Sequence, residues 1–177
     1  MIVWNKKRKI VTTVAVMVFI VVLVAAGIKI QKKMWEKEKK EYLAEQERLK
    51  QELEPFMEEA RAVMRGEKTA TGELAYYNFY QEGYEDVTSI DADANIIVAE
   101  IHGDKGALVV EYHIEYLDKN EKRVSGGGSL GHVWKIEKAE DGSWVLVDIP
   151  HAEGGEESVK EAEKLMKKLR KYEGTND

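Results

Sequence analysis

From Val87 onward apolar residues recur at every second position, whereas between residues 34 and 66 they recur every three or four. Side chains alternate across a strand but return to one face of a helix after about 3.6 residues. A chain that changes period in this way builds helices first and strands second. The fold class expected is therefore α+β, with a long helix packed on one face of a curved antiparallel sheet and a further helix at the C-terminus. Ile96 to His102, the turn Gly103-Asp104-Lys105-Gly106 and Ala107 to Leu117 form the first hairpin. In that pairing His102 faces Ala107, Val98 faces Glu111 and His113 faces Ile96. The core face carries Ile97, Ala99, Ile101, Leu108, Val110, Tyr112, Ile114 and Tyr116, and the opposite face is mixed. A third strand runs from the polar turn Asp118–Glu121 through Gly126-Gly127-Gly128 to Lys138. Asp141-Gly142 turns the chain into Ser143 to Ile149, which Pro150 ends. Glu156 to Tyr172 closes the chain as an amphipathic helix, with Val159, Ala162, Leu165, Met166 and Leu169 on one side.

Ahead of the strands, residues 34–66 are dense in Glu, Lys, Gln, Leu and Met, strong helix formers with no Gly before Gly66. Trp35, Lys39, Tyr42, Gln46, Leu49, Leu53, Phe56, Ala60 and Val63 trace a heptad stripe, apolar only from Leu49. The stripe either packs on the domain or, through residues 34–63, joins copies of the chain in a homo-oligomer. Its short apolar part favours packing. Pro55 removes a helix hydrogen bond and is expected to kink or break the helix. A short helix follows from Gly72 to about Gln81.

Before all of this lie nineteen residues without a charge, Ile10 to Ile28, bracketed by Lys6-Lys7-Arg8-Lys9 and by Lys29, Lys32 and Lys33. At 1.5 Å per residue a helix of that length measures about 28 Å, close to the roughly 30 Å of a bilayer core. The expectation is a single-pass signal anchor. A cleaved signal peptide is the competing reading, with Val24-Ala25-Ala26 as its site, but the run exceeds the usual 7–15 residues of such peptides. The short basic tail favours a cytoplasmic N-terminus and an extracytoplasmic C-terminal domain at the cell membrane, although lysines also follow the run. The domain plan is thus a basic tail (1–9), a transmembrane helix (10–28), a helical stalk (29–54), an α+β domain (55–153) and a C-terminal helix and tail (154–177).

Charge narrows the partners. Residues 1–33 hold seven basic and no acidic residues, so of 27 basic residues 20 remain against 33 acidic ones, and residues 34–177 carry −13. Such a surface repels nucleic acid. The chain has no Cys, which excludes disulfides, Cys-ligated zinc, iron–sulfur clusters and thiol nucleophiles.

Leu108-Val109-Val110-Glu111-Tyr112-His113-Ile114-Glu115-Tyr116, then Val133-Trp134-Lys135-Ile136-Glu137-Lys138, then Asp141-Gly142-Ser143-Trp144-Val145-Leu146-Val147-Asp148-Ile149, resemble the strand–strand–turn–strand ending of the nuclear transport factor 2-like (cystatin-like) superfamily. The resemblance covers about residues 49–150. It implies a cystatin-like roll, and it departs from the family in the Gly126–Gly128 run and the added C-terminal helix. Its members include enzymes, ligand carriers and assembly modules, so it transfers no activity.

Candidate chemistry is sparse. Glu100, His102, Glu111 and His113 share a sheet face as a polar cluster. In the pairing above His102 and His113 lie too far apart for one ligand shell unless a third strand brings His132 in, so no metal site or catalytic set is assigned. Asp91, Asp93 and Asn95 imitate the start of a calcium loop, but Ile96 and His102 stand where that loop needs Gly and Glu. The Gly126–Ser129 run lacks the Lys of a phosphate loop and reads as a bulge or bend. Trp134 and Trp144, with Tyr76, Tyr77, Tyr80 and Tyr112, either line a concave pocket or fill the core. No cofactor is implied.

The resulting expectation is a non-enzymatic binding or assembly module of the cell envelope, with the lipid bilayer and other envelope proteins as partners. Its layout is similar to inner-membrane assembly proteins of secretion and conjugation machinery. The alternatives are a membrane-tethered small-ligand receptor or enzyme using the aromatic pocket, and a homo-oligomerising structural protein.

Overall fold

A computed structural model describes the backbone of residues 2–79, 86–149 and 156–174, and the side chains of 16–79, 86–149 and 159–174. The chain divides into two units, Met1–Glu45 and Gln46–Asp177. The described residues of the first unit are all helical, the start of α1 (Ile2–Met64). Its described surface is apolar toward the N-terminal end, where Val16 to Val24 are each more than half exposed. Toward residue 45 it is held by solvated pairs such as Lys37 with Glu41 at 3.6 Å and Lys39 over the Trp35 ring.

The membrane expectation is corrected here. Among the described residues no helix is long and apolar enough to cross a membrane. The apolar run is part of one continuous helix that passes both basic clusters. Ile10 to Ala15 lie outside the residues whose side chains are described. The transmembrane helix at 10–28, the signal anchor, the bilayer partner and the single-pass localisation with an extracytoplasmic domain are therefore not retained. The fold class is α+β, and among the described residues it includes no membrane span.

The second unit begins at Gln46, ahead of the boundary at residue 55, because Gln46, Leu49 and Leu53 are already buried. Pro55 lies inside α1 and does not end it. A proline costs an interior helix about 3 kcal/mol, but Leu53, Phe56 and Met57 beside it are all buried, and such packing outweighs local preference. The stripe from Leu49 to Val63 is occupied by the domain's own core.

A 3₁₀ turn (Gly72–Tyr77) replaces the longer second helix, and four strands follow: β1 (Ser89–His102), β2 (Lys105–Leu117), β3 (Arg123–Lys138) and β4 (Trp144–Asp148). They form an antiparallel meander in the order β1-β2-β3-β4. The first hairpin is tighter than the spacing suggests: His102 faces Lys105 across a two-residue turn, and Gly103 takes the positive φ of 63° that such a turn demands. A bulge between Ile96 and Val98 then shifts the register, so that Val98 faces Val109, Asn95 faces Glu111 and Asp93 faces His113. Ile90, Ala92, Ala94 and Ile96 consequently join the core, then Ala99 after the bulge, while Ile97 does not. The supposed calcium-loop start, Asp91-Ala92-Asp93-Ala94-Asn95, is strand, with its polar residues on the other face.

The sheet is covered on both faces. α1 and the 3₁₀ turn bury Leu108, Val110, Ile114, Trp134 and Ile136. The C-terminal helix α2 (Glu156–Glu173) lies over β1, β2 and β3 on the opposite side, where Val98, Val109 and Val133 are buried together with its Ala162, Leu169 and Tyr172. An ion pair of Lys135 with Glu161 joins the two elements. Val159, expected on the apolar side, is exposed. Pro150 lies outside the described residues.

The glycine run has a steric reason. A Cβ on Gly126 would stand 2.6 Å from the Ile114 carbonyl oxygen, and one on Gly128 would stand 2.4 Å from that of Tyr112, whereas Gly127 has nothing within 4 Å. Gly126 and Gly128 let β3 lie against the β2 backbone.

Candidate functional site

The aromatic residues converge on Tyr77. Gly72, at a φ of 67°, opens the 3₁₀ turn and Thr71 enters it extended, which carries Tyr77 beneath the sheet at zero exposure. On β3, His132, Trp134 and Ile136 alternate onto the core face. Trp134 Nε1 donates to the Tyr77 hydroxyl at 2.6 Å, and that oxygen lies 3.0 Å from His132 Nδ1. Trp is a donor only, so the hydroxyl accepts from it, and with the Nε2–H tautomer of a neutral His132 the single phenolic proton completes the array by going to Nδ1. The electrostatics agree. Burial pushes the Tyr77 phenol far up and keeps it un-ionised, and burial lowers His132 from its ordinary 6.5.

Around this array the Tyr112 ring meets Tyr77 edge-on at 5.6 Å and His132 at 5.4 Å, Phe79 stacks on Tyr112 at 5.8 Å, and Phe56 meets Trp134 at 5.9 Å. Burial raises the Tyr112 phenol as well. Of the pocket residues expected from sequence, Trp134 and Tyr112 therefore pack against each other's neighbours. Tyr76 is half exposed, with its ring edge-on to Tyr77. Trp144 lies under Lys138, whose ammonium stands 4.9 Å from its ring centroid. Tyr80 lies outside the described residues.

The polar cluster divides. His102 Nε2 lies 3.3 Å from Glu100 beside the Gly103 turn, while His113 Nε2 lies 3.2 Å from Glu115, which also pairs with Arg123. Glu111 stands between them, opposite Asn95. His132 is on the other face. Among the described residues no group of three or more His, Asp or Glu could hold a metal ion. Asp93, Asn95, Glu111 and His113 do line an open groove of about 440 Å³ that Leu130 borders.

Three residues act on the free edge of β1, of which the periodicity singles out only Gln46. The Gln46 amide bonds both backbone groups of Ala99, each at 2.9 Å. Arg61 donates to the Ala94 carbonyl at 2.7 Å and pairs with Glu54 and Glu58. Arg65 reaches the Ala92 carbonyl at 3.4 Å. Gln46 was visible as a polar residue inside a buried stripe, and His132 by its parity with Trp134. Phe79 carried no such signal.

No family model, no curated protein and no solved structure matches the chain.

Proposed function

We propose that this chain acts by binding, as an assembly module whose α+β unit, a variant of the cystatin-like roll, is a preformed body presented to another macromolecule. The observation that carries the reading is the closure of the aromatic site. Its hydroxyl, imidazole and indole groups satisfy one another, and Tyr77 has no exposed surface on which a substrate could rest. Every buried side-chain N or O atom among the described residues has a partner, so the interior holds no unpaired group waiting for a ligand. The exposed apolar residues Val16–Val24, by contrast, form the kind of surface that marks an interaction site.

Photo-crosslinking residues placed singly over the exposed positions of residues 46–174, in cells that make the protein, test this. Adducts to macromolecules clustered on one contiguous patch are expected. A small molecule that copurifies with the protein and shifts the Tyr77, His132 and Trp134 resonances would replace the proposal with a receptor or an enzyme.

A further inference from the structure

Both long edges of the sheet begin as unpaired backbone, and the chain treats them differently. On β1 the outward groups of Ala92, Ala94 and Ala99 are taken by Arg65, Arg61 and Gln46. On β3, β4 pairs only with Lys135–Lys138. Among the described residues the stretch from Arg123 to Trp134 has β2 on one side and no strand on the other. An uncovered strand edge is a template for another strand.

The stretch is also symmetric about one residue. Ser125 to Ser129 pair with Tyr116 to Tyr112 in unbroken register, between a bulge before Ser125 and another after Ser129. Gly127 is the midpoint of this five-residue ladder. Just beyond its two ends stand Val124, 51% exposed, and Leu130, 83% exposed. Each is three residues from Gly127 and sits in a bulge, and alternation counted outward from Ser125 and Ser129, the last paired residues, puts both on the same face, the one on which Leu130 borders Glu111 and His113. An antiparallel copy placed with its two-fold axis at Gly127 therefore sets Val124 opposite Leu130 of the second chain, and Leu130 opposite Val124, with only Ser and Gly between. That self-complementarity is what an isologous contact requires.

We infer that β3 pairs with β3 of a second copy of this chain, antiparallel and centred on Gly127, joining two four-stranded sheets into one of eight strands. The inference deepens the assembly reading by naming the surface and the partner. Gly127 suits the centre because a side chain there meets nothing within 4 Å. The apolar pairs supply the specificity that the backbone ladder lacks.

The natural chain has no Cys, so single cysteines report the register directly. In the full chain Gly127→Cys is expected to form an intermolecular disulfide under mild oxidation, since facing Cα atoms in an antiparallel pair lie about 4.5–5.5 Å apart. Val124→Cys is expected to form none, because the two copies of residue 124 would be displaced by six positions, about 20 Å. Val124→Lys with Leu130→Lys places lysine opposite lysine and should abolish the Gly127→Cys crosslink. Val124→Lys with Leu130→Glu should restore it, a rescue that a misfolded protein would not show. Absence of the Gly127→Cys crosslink, a crosslink through Val124→Cys of equal yield, or failure of the Lys/Glu pair to rescue would each overturn the inference. The same edge crosslinking only to a different protein would overturn it too, while leaving the assembly reading in place.

Discussion

The side-chain amide of Gln46 replaces a neighbouring strand for Ala99: Nε2 donates to its carbonyl and Oε1 accepts from its N–H, both at 2.9 Å. The pair lies 53 residues apart in sequence and ties the start of the domain helix to β1 just past the bulge. Gln46→Ala leaves a buried N–H and C=O without partners, which costs about 1–3 kcal/mol. Urea unfolding is expected to show a lower midpoint with an unchanged slope. A loss within error would mean that water replaces the amide.

Arg61 is 9% exposed and yet charged. Its carboxylate partners Glu54 and Glu58 have side chains 55% and 62% exposed, so solvent screens those pairs and the bond to Ala94 dominates. Glu54→Gln with Glu58→Gln should therefore cost under about 1 kcal/mol. Arg61→Ala should cost about 1–3 kcal/mol through the abandoned Ala94 carbonyl. Thermal unfolding of the two variants reports the order, and the reverse order would show that the ion pairs dominate.

Protonation of His132 should loosen the fold. In the native protein burial depresses its pKa below the ordinary 6.5, so the unfolded chain binds more protons within the window between the two values. Stability then rises with pH across that window and is lost as pH falls below about 6.5. Urea midpoints measured from pH 7.5 down to 5 should decline, and His132→Gln should flatten the decline. An equal slope in the variant would assign it to other groups.

Tyr77→Phe strands the Trp134 indole N–H in the core and should cost about 1–3 kcal/mol. It should also free His132 Nδ1 to titrate without a hydroxyl partner. An unchanged midpoint, or an unchanged His132 titration by NMR, would remove Tyr77 from the centre of the array.

The glycine run should respond by parity. Gly126→Ala and Gly128→Ala push a methyl into β2 carbonyls and should cost about 1–3 kcal/mol each. Gly127→Ala meets open space and should be neutral or stabilise by about 0.4–1 kcal/mol through the unfolded chain. Equal losses at all three positions would mean that flexibility, and not backbone approach, selects these glycines.

Periodicity made the helical stripe, the four strands and the C-terminal helix legible, because burial on one face leaves a repeat in the residues themselves. Its failures are equally physical. Spacing suggests a four-residue turn in the first hairpin because the pair His102 and Lys105 carries no hydrophobic signal, and only the backbone of Gly103 shows that two residues suffice. The uncharged run suggests a membrane span by its length alone, but it is one part of a single helix that continues to Met64. Trp134, Tyr112 and Tyr77 point to an aromatic site, but the place of Tyr77 at its hub is set by a hydroxyl whose partners lie 55 and 57 residues away. Nothing in local spacing encodes such a distance.

The bulge at Ile96 divides β1 into two reading frames. Even-numbered positions from Ile90 to Ile96 answer to the core, and after the bulge odd-numbered ones do, beginning with Ala99. Substitutions tolerated in one half are thus the ones forbidden at matching parity in the other. A single-residue deletion at the bulge would merge the two frames into one regular alternation with both core sets on the same face, whereas a deletion within either half would turn the residues on one side of it inside out. In this strand the length of the chain is inherited as strictly as its composition.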